Sequence, residues 1–223
     1  MGGMLARKKT QRIRILEDDP STRDSLAETV ADAKFEPVPE RGPLPNLKDF
    51  TANTISDTYA FIFDHHLKQS KYAPFDGAEA VASLYKRCPS LLCTRWSKAD
   101  IDAMRLYRRR VPALIPTDEL DPGKIAEAIE MCLNEFSDKF LPSREPVRTI
   151  VRIENVDSQQ KPPIVYGILP SWNPHQVIRF PIDVIAPNLR QYVQAETRFY
   201  VHVNIGAEDE AELYFDEFEY RGR

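Results

Sequence analysis

The feature that most constrains this chain is a change of pattern around residues 141–146. Before it, short apolar runs alternate with helical spacings. After the proline-bracketed stretch Leu141-Pro-Ser-Arg-Glu-Pro146, only strand-like runs follow. Alternating strands and helices dictate a parallel sheet with helices on both faces. Ile13 to Glu17, Tyr59 to Phe63, Leu91 to Thr94 and Val111 to Ile115 read as its strands. The unbroken run Tyr59-Ala-Phe-Ile-Phe63 suits a strand covered on both faces. Helical spacing covers 20–33, 76–87, 98–109 and 124–136; Asp121 and Pro122 open the last of these as N-cap and first-turn residue. Phe35-Glu-Pro-Val-Pro39 is a short strand interrupted by prolines.

Beyond the linker, five β-branched or aromatic runs (147–156, 164–169, 177–186, 192–205 and 212–220) are separated by Pro, Asn, Gly and Asp clusters, as in a small all-β sandwich or barrel. The predicted organisation is an α/β domain at 11–140, a linker at 141–147 and a β-rich output or interaction domain at 148–223.

Composition narrows the function. Hydrophobic residues at 42% and charged residues at 29% exclude wholesale disorder. A net charge of −4 does not mark a binder of phosphate backbones. Cys88, Cys93 and Cys132 have neither a disulfide pattern nor metal-ligand spacing. No apolar run is long enough to span a bilayer and the start lacks a secretory signal, so a cytoplasmic location without membrane association is expected.

In an open parallel sheet, ligands collect beyond the carboxyl ends of the strands. Asp18 and Asp19 end the first strand and Asp64 ends the third, so three carboxylates are expected in one crevice. Charges packed this closely repel unless a cation joins them, and an all-oxygen set suits Mg²⁺. Such a carboxylate can also act as a nucleophile toward a phosphoryl group.

These pieces resemble the receiver domain of two-component response regulators. Ile15-Leu-Glu-Asp-Asp-Pro-Ser-Thr-Arg-Asp-Ser-Leu26 is similar to the family's first strand, acidic pair and first helix. Phe61-Ile-Phe-Asp64 resembles the strand ending in the phosphoacceptor, and Phe75-Asp-Gly77 the turn that follows. Leu92-Cys-Thr94 resembles the strand ending in Thr or Ser, and Asp121-Pro122 with its helix the last segment. The resemblance spans about residues 11–137 and implies a flavodoxin-like, doubly wound, five-stranded parallel sheet. It also implies Asp64 as phosphoacceptor, Mg²⁺ on Asp18, Asp19 and Asp64, and Thr94 as a switch residue bonding the phosphoryl oxygen. The implied partners are a histidine kinase or phosphotransfer protein, and a second copy bound through the helix-4/strand-5 face in the family's count.

The sequence also departs from the family. No Lys lies between Arg110 and Lys124, where the fifth strand usually ends in one. Thr94 is followed by Arg95 and Trp96 rather than a small residue; Arg95 could crowd the site or substitute for the lysine. The segment from Asp64 to the Asp76-Gly77 turn is longer than usual and carries His65, His66, Lys68 and Lys71. Two readings follow. One is a signalling protein in which phosphorylation or Mg²⁺ binding at Asp64 controls the β-rich module and its unidentified protein partner. The other is a phosphorylation-independent pseudo-receiver acting as an interaction scaffold.

Other residues are less telling. His65 and His66 are adjacent, so their side chains diverge, and they lack further His or Cys ligands for zinc. Arg105, Arg108, Arg109 and Arg110 suit a helix C-terminus, and equally a contact for an acidic partner or nucleic acid. A complement exists in cis in the acid-rich segment Glu208–Glu219. Residues 148–223 hold eight basic and 11 acidic side chains, which argues against DNA binding and leaves a nucleic-acid-binding regulator as a lesser alternative. Phe180, Trp172, Tyr214, Phe215 and Phe218 are expected in the core of the β-domain. No Ser-His-Asp or Cys-His set stands out, and a non-enzymatic role is expected.

Overall fold

The computed structural model describes residues 11–95 and 98–222, so Trp96 lies outside the described residues. Five parallel strands form the first sheet: β1 (Arg12–Leu16), β2 (Glu36–Pro39), β3 (Ala60–Asp64), β4 (Ser90–Thr94) and β5 (Ala113–Pro116). Their order is β2-β1-β3-β4-β5, the doubly wound flavodoxin-like arrangement. The helices are α1 (Pro20–Asp32), α2 (Leu47–Thr54), α3 (Gly77–Leu84), α4 (Lys98–Arg105) and α5 (Pro122–Phe136). Ala60, Phe61, Ile62 and Phe63 of β3 are fully buried, as their unbroken apolar run requires.

The prolines of β2 are tolerated because it is an edge strand. Glu36 and Glu40 donate their N–H groups to the carbonyls of Gln11 and Ile15, at 3.0 and 2.9 Å. Pro37 and Pro39 alternate with these positions, where no ladder donor is needed. The sequence pattern does not announce helix α2. It is short, and its fit comes from Asn46, which accepts the Asp49 N–H at 3.0 Å as N-cap, and from Phe50, which packs against Phe61 and Phe75.

The second sheet is antiparallel, with strands β6 (Val147–Asp157), β7 (Ile164–Leu169), β8 (Asn173–Pro181), β9 (Arg198–Val203) and β10 (Phe215–Glu219). Its order is β10-β9-β6-β7-β8, and bulges interrupt the β6–β7, β7–β8 and β9–β10 ladders. Phe180, Phe199 and Phe215 sit in its core with Trp172 and Phe218 packed against them. The aromatic residues therefore build the interior. Trp172 secures its indole by donating to the Ala207 carbonyl at 2.7 Å.

The chain divides into two units, and the division does not fall at 141–147. One unit is Met1–Arg95 with Ala113–Leu133; the other is Trp96–Pro112 with Asn134–Arg223. The α4 segment therefore belongs with the second sheet. Arg105 explains why: its buried guanidinium donates to the carbonyls of Glu210 and Leu213, at 2.6 and 2.7 Å. Arg109 lies 3.8 Å from Asp216 and sits over the Tyr214 ring, as does Arg144. The basic cluster is thus matched in cis by the acid-rich segment, and burial of Arg105 and Arg108 withdraws both from any surface for nucleic acid or an acidic partner. The expected linker is structured too. Arg144 is buried in an ion pair with Glu135, and its carbonyl accepts from the Tyr214 hydroxyl at 2.6 Å.

Candidate functional site

Three carboxylates meet at the carboxyl ends of β1 and β3. Oxygens of Glu17, Asp18 and Asp64 all lie within 4.8 Å of one another. β1 and β3 are paired in register at Leu16 and Phe63, so the residues that follow, Glu17 and Asp64, emerge side by side. This corrects the expected ligand pair. Asp19 is not in the cluster; it caps α1, accepting the Thr22 N–H at 2.8 Å and the Ser21 hydroxyl at 2.7 Å. Pro20, fixed at the first helical position, starts the helix and commits Asp19 to that role. These bonds hold the Asp19 carboxyl down at about 2. Glu17 takes its place in the cluster. The signal was available in the run Glu17-Asp18-Asp19-Pro20, since the acid directly before a helix-starting proline is the natural cap.

The charges in the cluster are held unfavourably. Burial, with the nearby Asp64 and Asp18 carboxylates as smaller contributors, pushes Glu17 up to about 8. Burial also raises Asp64, although its Oδ2 accepts the His66 N–H at 2.8 Å. Cys93, paired with Asp64 across β3 and β4, is pushed up to about 12 by burial and by the same carboxylates, which keeps it an inert thiol.

Around the acids is a cavity of about 500 Å³, lined also by Asp19 with its cap partners Ser21 and Thr22, and by His66, Thr94, Arg95 and Thr117. Thr94 ends β4 and is fully buried, yet its Oγ1 has no hydrogen-bond partner. A buried hydroxyl without a partner is costly, and here it stands on the wall of a polar cavity. Beyond β5 stands Thr117, and among the described residues Arg95 is the only Lys or Arg lining the cavity. The clustered acids and the bare hydroxyl fit a hard, oxygen-seeking divalent cation such as Mg²⁺, with room left for water.

The far side of the site depends on close packing. A Cβ at Gly77 would lie 2.0 Å from the Asp64 carbonyl oxygen, so only glycine lets α3 start so near the end of β3. The long segment between them is ordered by Leu67, Tyr72, Ala73 and Phe75, all buried. Lys68 ties it to α3, reaching Glu79 at 2.8 Å and Asp76 at 3.6 Å. The His65 and His66 rings do not diverge: their centroids lie 4.7 Å apart with the planes tilted by 53°.

No helix among the described residues is long and apolar enough to cross a membrane. No sequence family and no curated protein matches this chain. Similar solved structures include receiver domains. A response regulator receiver domain protein from Clostridium thermocellum is 10% identical, with a TM-score of 0.42, covering 57% of this chain and 97% of its own. A CheY-like receiver domain protein from Methanospirillum hungatei is 19% identical, with a TM-score of 0.40, covering 58% and 98%. The BeF3-activated N-terminal receiver domain of RstA from Klebsiella pneumoniae is 16% identical, with a TM-score of 0.40, covering 55% and 98%. Independently of these likenesses, the strand order and flanking helices give the N-terminal part of this chain the flavodoxin-like architecture in which receiver domains are built.

Proposed function

We propose that this protein is a signalling regulator whose receiver-like unit accepts a phosphoryl group on Asp64. Glu17, Asp18 and Asp64 would hold Mg²⁺. The observation that supports this most is the meeting of those three carboxylates in a cavity whose wall carries the unpartnered Thr94 hydroxyl. A carboxylate oxygen of Asp64 attacks phosphorus, the bond to the donor's leaving group breaks, and an acyl phosphate forms. Bound Mg²⁺ would supply positive charge for the phosphoryl oxygens. Thr94 would donate its hydroxyl to one of these oxygens, satisfying a group otherwise left bare. Arg95 is the side chain available to supply the fixed positive charge that Thr117 cannot. The second unit, with its acid-rich β10 edge, would be the output or docking module for a protein partner, and a histidine kinase or phosphotransfer protein the donor.

Thr117 at the end of β5 favours a second reading. Without an ammonium there, Mg²⁺ binding alone could set the state of a pseudo-receiver scaffold. Incubating the full chain with a small phosphodonor and Mg²⁺, then weighing the intact protein, separates the two. A gain of one phosphoryl group, absent in Asp64→Asn, supports the acceptor. Mg²⁺ binding with no mass gain supports the scaffold.

A further inference from the structure

A second cavity, of about 520 Å³, opens beside the acidic one and is lined by Arg23, Arg41, Lys71, Asp18, Gly42 and Tyr72 among others. Its walls come from the first turn of α1, the loop after β2 and the long segment between β3 and α3. The loop after β2 is fastened to that segment. The Leu44 N–H donates to the Tyr72 carbonyl at 2.8 Å, and the Tyr72 hydroxyl donates to the Glu40 carbonyl at 2.9 Å. A Cβ on Gly42 would lie 2.6 Å from the Tyr72 ring, so the loop is seated against the ring face. The loop and the segment that wall the cavity are therefore tied to one another.

Its charge is distinctive. Three cations face it against a single carboxylate, Asp18, which also lines the neighbouring acidic cavity. Arg23 is oriented by one bond, from its Nη1 to the Glu17 carbonyl at 2.8 Å. Arg41 and Lys71 pair with no carboxylate among the described residues. Guanidinium groups match phosphate oxygens in fork geometry, and a lysine adds a mobile point charge. The volume lies within the ~300–1,000 Å³ usual for small-molecule sites, and so leaves room for more than a bare phosphate.

We propose that this cavity binds a phosphorylated small molecule, its phosphate held by Arg23, Arg41 and Lys71. Binding requires neither phosphorylation of Asp64 nor a divalent ion, so it goes beyond the function proposed above. It also gives the long β3–α3 segment a task, that of supplying Lys71 and the Tyr72 support.

The full chain, stripped of divalent ions, is titrated with inorganic phosphate, with ribose 5-phosphate and with ribose, while amide NMR shifts are followed. Saturable shifts at Arg41, Gly42 and Lys71 are expected with both phosphates and not with ribose. Arg41→Gln and Lys71→Asn, the latter suited to the left-handed backbone at Lys71 (φ 59°), should each weaken binding about tenfold. Asp64→Asn should abolish phosphoryl capture while leaving this binding intact, so either idea can fail alone. Shifts that do not saturate, equal binding of ribose, or variants that bind as tightly as the parent would overturn the assignment.

Discussion

Glu17 and Asp64 leave the ends of neighbouring parallel strands side by side, and their carboxylate oxygens lie within 4.8 Å of each other, with Asp18 beside them. Packed this closely, their charged forms repel, and burial with this repulsion holds the Glu17 carboxyl well above its ordinary range.

The three acids of Glu17-Asp18-Asp19 should separate cleanly by experiment. Glu17→Gln and Asp18→Asn should each weaken Mg²⁺ binding by about tenfold or more, read by calorimetry. Asp19→Ala should leave that affinity unchanged and instead cost about 1 kcal/mol of stability through loss of the α1 cap. A large Mg²⁺ defect in Asp19→Ala would contradict the assignment.

Stability without metal should depend on pH through Glu17. Its carboxyl is raised in the folded chain to about 8 from an ordinary 4.5, so the native state holds a proton that the unfolded state has lost across that window. Stability in chelator should therefore fall as pH rises from about 4.5 to 8, by on the order of 3 kcal/mol. Glu17→Gln should flatten that slope, and Mg²⁺ should offset it. Urea midpoints measured across the range provide the check.

Thr94→Val should stabilise the metal-free protein by about 1 kcal/mol, because the buried hydroxyl it removes makes no hydrogen bond. The same change should impair capture of a phosphoryl group or of beryllofluoride. Thr94→Ser should keep the capture. Thermal melts paired with intact-mass measurement test both halves.

Gly77→Ala should destabilise by about 3 kcal/mol, since the new methyl meets the Asp64 carbonyl at 2.0 Å and backbone cannot easily yield. Mg²⁺ affinity should fall with it, as Asp64 is pushed out of place. An unchanged melting temperature would refute the close approach.

Arg105→Met should cost about 3 kcal/mol, because the Glu210 and Leu213 carbonyls lose a buried charged donor. Proteolysis within 98–112 should accelerate, since Arg105 is a principal tie between that segment and the second sheet. Equal cleavage rates in variant and parent would argue against that anchoring role.

Local pattern was enough for the strands that are buried on both faces. Ala60–Phe63 and Leu91–Cys93 are apolar runs of strand length that suit a covered parallel sheet, and Asp64 and Thr94 follow as the polar residues that end them. Tertiary structure decided the rest. Which two of three consecutive acids join Asp64 in the carboxylate cluster depends on where β1 ends and α1 begins, since the acid directly before Pro20 is spent as the helix cap. Helix α2 is too short for its periodicity to announce it, and exists because Phe50 finds Phe61 and Phe75. The grouping of α4 with the second sheet rests on bonds between residues about a hundred positions apart, such as Arg105 to Glu210, and no local spacing encodes contacts at that range.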